Sequence, residues 1–144
     1  MRRSEIKRAD PDLGMLVARL LFGVQRELAE GHKETRPRHG AVLAYLDEQG
    51  SRATELAELS GQHKQVIGTL VDELEALGYV KREPDPLDRR AKLIVPTAKG
   101  LASMRHSDAA MAALEKRFSK EIGAKDYAKF KETLRRLAEL PLKS

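Results

Sequence analysis

With 144 residues, 41% of them hydrophobic, the chain is long enough for one domain with a real core and too short for two ordinary ones. It has no cysteine, which excludes disulfides, thiolate zinc sites and thiol-based redox sensing, and its 4% aromatic content supplies little for stacking single-stranded bases. The net charge of +5 invites a nucleic-acid reading, yet residues 36–92 hold nine Lys/Arg against ten Asp/Glu and residues 93–144 hold eleven against six, so local placement has to carry that argument.

The chain opens on Met1-Arg2-Arg3-Ser4-Glu5 without an apolar stretch of signal-peptide type behind it. Its apolar runs, such as Leu20-Leu21-Phe22, fall far short of the roughly 20 residues that cross a bilayer. A cytoplasmic protein without a membrane partner is expected. Leu13, Leu16, Val17, Leu20, Leu21, Val24 and Leu28 then recur at steps of three and four, predicting a first long helix that ends near Gly31. Met15 and Phe22 fall off that stripe, and a helix apolar on more than one side has more than one partner, its own domain and a second subunit. Pro37 marks a break, after which Val42, Leu43 and Leu46 predict a second helix ending at Gly50.

Thr54 is placed to cap a short third helix through Leu59, with Glu55 in its first turn. Ser60-Gly61-Gln62 reads as a tight turn. From His63 the stripe Ile67, Leu70, Val71, Leu74, Leu77 predicts a fourth helix stopped by Gly78 in a left-handed position. Tyr79–Arg82 and Lys92–Val95 are β-prone. The turn-rich segment Glu83 to Ala91 between them predicts a hairpin with an extended tip. Pro96 ends the second strand and Thr97 caps the next helix. Leu101, Met104, Met111, Leu114, Phe118 and Ile122 fit a fifth helix broken at Gly123. Asp126 then reads as the cap of a last helix carrying a seam of Tyr127, Phe130, Leu134 and Leu137. A second copy of the chain is the simplest partner for that seam.

The fold class expected is mainly α with a small β-hairpin: a helix, a turn, a second helix and a wing, flanked by dimerisation helices with Leu13, Leu16, Leu20, Tyr127, Phe130, Leu134 and Leu137 at the contact. A helix fits the DNA major groove with its first turns at the base edges. On the fourth helix the inward stripe leaves Gln62, His63, Lys64, Gln65, Gly68 and Thr69 on the outer surface. These are donors and acceptors uninterrupted by an acid; Asp72, Glu73 and Glu75 come a turn later. Lys64 and Gln65 are the first candidates for base or phosphate contact, while His63 is either a cap or a phosphate donor. Gly68 costs about 1 kcal/mol against alanine in a helix interior, which close approach to DNA would explain. The alternative for the whole set is an ordinary solvated helix surface.

In the wing, Asp88 and Arg90 are two apart and share a side, so the carboxylate can hold the guanidinium for a narrow minor groove, leaving Arg89 or Lys92 for phosphates. The alternative is a surface ion pair worth about 0–1 kcal/mol. The sequence at this point resembles the MarR (multiple antibiotic resistance regulator) family of bacterial transcription factors. The resemblance runs from about Pro37 to Gly100, in Leu74-Glu75-Ala76-Leu77-Gly78-Tyr79-Val80, Asp88-Arg89-Arg90 and Thr97-Ala98-Lys99-Gly100. It departs at His63, where Ser or Thr is common, at Gln62, where an apolar residue is usual, and at Pro96, where Leu is usual.

The resemblance implies one unit over residues 1–144, with a winged helix-turn-helix over 37–100 and dimerisation helices over 10–34 and 98–140. It further implies a homodimer on a pseudo-palindromic double-stranded operator and repression released by a small aromatic or phenolic effector. A winged module that binds protein or effector without reading DNA is the rival expectation. The histidines His32, His39, His63 and His106 lack metal-ligand spacing, and His39 reads as a cap or a hydrogen-bonder at the core edge. Met104 and Met111 read as helix packing rather than cavity lining. Without a Gly-rich phosphate loop or a catalytic triad or dyad, neither an enzyme, a cofactor nor a metal is expected.

Overall fold

The computed structural model describes residues 1–142. In chain order the elements are α1 (Arg3–Ala9), α2 (Leu13–Leu28), a 3-10 turn (Pro37–His39), α3 (Gly40–Leu43), α4 (Ala53–Ser60), α5 (Lys64–Ala76), β1 (Val80–Asp85), β2 (Asp88–Pro96), α6 (Ala98–Ile122) and α7 (Ala124–Ala138). The chain forms two compact units, Met1–Arg105 and the residues from His106 onward. The first holds the winged helix.

Its core is a single cluster drawn from α3, α4, α5, the hairpin and the start of α6. Val42 and Leu46 come from around α3, Leu56 from α4, Ile67, Leu70, Val71 and Leu74 from α5, Tyr79 and Val80 from the start of β1, Ile94 from β2 and Met104 from α6. The α5 contribution follows the three-and-four spacing expected of one buried stripe. Each such side chain, fully buried, is worth about 1.5–3 kcal/mol, so this stripe fixes the rotation of α5 and therefore which residues it shows to solvent. Gly78 follows α5 with φ +83° and terminates it as predicted.

The junction from hairpin to α6 shows why Thr97-x-x-Gly100 has its spacing. Thr97 Oγ1 donates to the Gly78 carbonyl at 2.6 Å and accepts from the Gly100 amide at 3.1 Å, while the Thr97 amide donates to the Tyr79 carbonyl at 3.0 Å. A Cβ on Gly100 would lie 1.9 Å from the Tyr79 oxygen, so only glycine lets α6 pass so close to the start of β1.

Several expectations are corrected. The helix expected from Val42 to Gly50 is a 3-10 turn followed by the four-residue α3. It stops early because the Asp47 amide is taken at 3.0 Å by the Ser51 hydroxyl. Thr54 does not cap α4: the N-cap position is Arg52, whose amide donates to Glu55 Oε1 at 3.3 Å. Asp126 lies within the first turn of α7, and Gly123, φ +98°, holds the N-cap position. The hairpin is longer than expected. β1 and β2 pair antiparallel from Val80↔Pro96 to Asp85↔Asp88, with an irregularity at Pro84/Asp85, so the segment Glu83 to Ala91 is mostly strand. Proline reads as a breaker, but in a two-stranded ribbon each strand is an edge and a missing N–H can face water without cost. The helix α1 was not anticipated; α2 is capped by Asp12, which accepts from the Met15 amide at 2.9 Å.

In the second unit, Tyr127 of α7 meets the rings of Phe118 and Phe130, each with centroids 6.2 Å apart. Its hydroxyl donates to Glu115 Oε1 at 2.6 Å. Burial first, and this bond second, push the phenol up to about 12.

Candidate nucleic-acid interface

The first turns of α5 lie at the surface of the winged unit. Gln62, His63, Lys64, Gln65 and Thr69 are exposed, and Gly68 is half-buried. His63 holds the N-cap position with extended backbone, but its ring makes no cap hydrogen bond, which removes the capping role and leaves the imidazole directed outward. Thr69 donates its hydroxyl to the Gln65 carbonyl at 3.2 Å, so towards a ligand it presents an acceptor and a methyl group. At Gly68 an added Cβ would meet nothing within 4 Å. The packing of the chain therefore gives no reason for glycine there. Val66, 40% exposed, stands among these polar residues; sequence periodicity passed over it because its side chain is apolar.

The acids of α5 are internally neutralised. Arg82 of β1 donates through Nη1 to Glu75 Oε1 at 2.9 Å and through Nη2 to Asp72 Oδ1 at 2.8 Å, and its amide donates to Glu75 Oε2 at 3.2 Å. Glu73 accepts from Arg38 Nε at 3.0 Å and from His39 Nε2 at 2.9 Å. His39 is buried, 2% exposed; its Nδ1 accepts from the Arg36 amide at 2.8 Å, so the ring hydrogen sits on Nε2 and points at Glu73. The Arg38 guanidinium, with His39 second, holds the Glu73 carboxyl below its usual range. By contrast Lys64, Arg89 and Lys92 are exposed and form no ion pair among the described residues. The near-balance of charge in residues 36–92 thus hides a sorting along α5 and the wing: Asp72, Glu73 and Glu75 are paired within the fold, while Lys64, Arg89 and Lys92 are left for a ligand.

The wing is pinned at its tip. Asp85, 5% exposed, accepts from the Leu87 amide at 2.9 Å and from Arg52 Nε at 2.8 Å. The Leu87 amide first, then Arg52, lower its carboxyl below the usual value. On β2, Asp88 Oδ1 accepts from the Arg90 amide at 3.1 Å and from Arg90 Nε at 3.3 Å, while the Arg90 side chain stays 93% exposed. One carboxylate thus holds both backbone and side chain of Arg90, which fixes the guanidinium without burying it. At the hairpin base, the Ser51 amide donates to the Ile94 carbonyl at 3.0 Å and the Ile94 amide to the Ser51 carbonyl at 2.8 Å, tying the wing to the start of α4.

The structure thus places the expected residues of α5 and the wing on exposed parts of one compact unit. The tethering residues Arg52, Asp85 and Arg82 were not singled out from sequence, since their partners lie 33, 33 and 7–14 positions away.

Comparison with known proteins agrees with this geometry. A model of the MarR family matches residues 35–91. An uncharacterised HTH-type transcriptional regulator of Bacillus subtilis, YcgE, is 45% identical over 62 residues, 42% of this chain and 38% of that one; the chain therefore spans well under half the length of this curated relative. CouR from Rhodococcus jostii RHA1, solved with p-coumaroyl-CoA, is 28% identical with a TM-score of 0.74 over 93% of this chain and 96% of its own. The PcaV transcriptional regulator of Streptomyces coelicolor, solved with its natural ligand, is 27% identical with a TM-score of 0.71 over 90% and 93%. The family model thus falls on the winged unit, and the fold is shared with these two regulators along nine-tenths of the chain, so that the chain is similar to MarR-family regulators in both.

Proposed function

We propose that the protein is a sequence-specific double-stranded DNA-binding transcriptional regulator that acts as a homodimer. The observation that carries this reading is the sorting of charge on the winged unit: Lys64, Arg89 and Lys92 lack carboxylate partners among the described residues, while Asp72, Glu73 and Glu75 are each paired internally. In this reading Lys64, Gln65 and Thr69 meet base edges in the major groove, and His63 contacts a phosphate beside them. Arg90, oriented by Asp88, enters the minor groove.

The dimer is supported by apolar faces that stay exposed among the described residues. Leu13, Leu16 and Leu20 of α2 are 68%, 50% and 43% exposed, and Phe130, Leu134 and Leu137 of α7 are 42%, 40% and 47% exposed. Neither helix has a buried residue, and such stripes need a partner. In such a dimer the two α5 helices would lie about one duplex turn apart, roughly 34 Å. CouR has also been solved as a transcriptional repressor on a 23-mer DNA duplex. By analogy with it, a repressor released by a small aromatic or phenolic effector is the form of regulation we favour. No helix among the described residues is long and apolar enough to cross a membrane, in keeping with action in the cytoplasm, and we assign no catalytic activity.

The test is binding of the full chain to DNA flanking its own gene, against a scrambled duplex, over a salt series. Specific binding that weakens steeply with salt is expected. Equal binding to both duplexes, or none to either, would instead favour the rival winged module that binds protein or effector, whose support is the charge balance of residues 36–92.

A further inference from the structure

The wing ends in a leucine that water does not explain. Pro86 and Leu87 alone join β1 to β2, and the Leu87 side chain is 93% exposed, more than any other large apolar side chain described except the N-terminal Met1 at 95%. The tip beneath it is held by hydrogen bonds on both sides. Asp85 is buried, accepts the Leu87 amide and is held by Arg52, and Asp88 on the other side is committed to Arg90. Leu87 is therefore displayed at the apex of a braced turn, three residues from the exposed Arg90 guanidinium. A single exposed leucine on a protein surface is ordinary. One fixed at the point of a wing has a restricted set of possible neighbours, and the minor groove, about 6 Å wide, is walled by apolar deoxyribose faces that accept aliphatic side chains.

We infer that Leu87 is a DNA-contacting residue, packing its isobutyl group against the deoxyribose walls of the minor groove beside Arg90. The inference rests on the DNA-binding reading above and adds a contact of different physical character. Arg90 brings a positive charge into the groove, displaces counterions there and answers to salt; Leu87 removes apolar surface from water and does not. Its contribution is nonspecific in base identity and favours sites whose minor groove is narrow enough to close on both side chains.

The probe is a duplex selected by the full-length protein from a random-sequence pool, with an unselected duplex as control. Affinities are measured by fluorescence anisotropy across a salt series for wild type, Leu87→Ala, Leu87→Met and Arg90→Ala. Leu87→Ala is expected to bind about five- to tenfold more weakly with an unchanged slope of log affinity against log salt. Leu87→Met, which keeps an aliphatic chain of similar reach, retains near wild-type affinity. Arg90→Ala makes the negative slope shallower by about 0.9. Because Leu87 covers nothing in the fold, the melting temperature of Leu87→Ala should equal that of the wild type. Unchanged affinity, a changed salt slope or a lowered melting temperature in Leu87→Ala would each overturn the inference. Failure of the wild type to prefer the selected duplex would instead overturn the DNA-binding reading itself.

Discussion

Gly68→Ala separates stability from function at one position. Gly68 lies inside α5, where glycine costs about 1 kcal/mol relative to alanine because its backbone loses more freedom on folding. A Cβ built there meets no heavy atom within 4 Å, so nothing in the chain offsets the gain. The variant should unfold at higher denaturant with an unchanged m-value, corresponding to a stabilisation of about 1 kcal/mol. On DNA the sign reverses. Half-buried Gly68 lies between the exposed Gln65 and Thr69 of α5, and in the proposed complex a methyl group there would hold the helix off the floor of the groove. Affinity for a selected duplex should fall at least about tenfold, roughly 1.4 kcal/mol. A variant that is more stable and binds DNA as tightly as wild type would refute the argument that the glycine is kept for close approach. One that is less stable would refute the claim that the site is sterically open.

Gly100→Ala is expected to do the opposite: its Cβ would sit 1.9 Å from the Tyr79 carbonyl oxygen, an overpacking that should cost about 3 kcal/mol by chemical denaturation. Arg82→Gln removes the partner of Asp72 and Glu75; these pairs are substantially exposed, so stability should fall by no more than about 1 kcal/mol. DNA affinity should fall further, and Asp72→Asn in the same chain should restore part of it. Absence of rescue would mean that charge masking is not the role of Arg82. The Asp85 carboxyl is held below its ordinary value of 3.8 by the Leu87 amide and Arg52. Its stabilising effect is therefore complete above that value and lost as pH falls through the lower folded one. Wing amides, followed by NMR from pH 5 downward, should lose order in that window, and Asp85→Asn should abolish the transition; an unaltered transition in Asp85→Asn would assign it to another carboxylate.

Much of the winged unit was legible because its signals are local. The spacing of Ile67, Leu70, Val71 and Leu74 fixed both the existence and the rotation of α5, and with them the exposed set from Gln62 to Thr69. Gly78 and Thr97 marked the boundaries where the structure has them. Asp88 and Arg90, two apart on one strand, could be paired from sequence because strand geometry brings such neighbours to one side. What was missed depends on contacts between distant segments. Asp47 leaves the helical pattern because Ser51 captures its amide, a competition that apolar periodicity does not register. The length of the hairpin was underestimated because Pro84 and Pro86 read as loop, whereas the solvent side of an edge strand tolerates proline. Arg82 and Arg52 look like ordinary surface cations until the hairpin folds back and sets them against Asp72, Glu75 and Asp85. The apparent neutrality of residues 36–92 misled for the same reason, since composition counts charges without recording which ones neutralise each other.

The most direct test of the account is a hydroxyl-radical footprint of the full-length protein on the selected duplex. Two protected backbone patches centred about 10 base pairs apart are predicted, with minor-groove protection flanking them where the wings enter. A single patch, or protection unaltered when Arg90 is replaced by alanine, would contradict the assignment of α5 and the wing as the DNA-reading surface of a dimer.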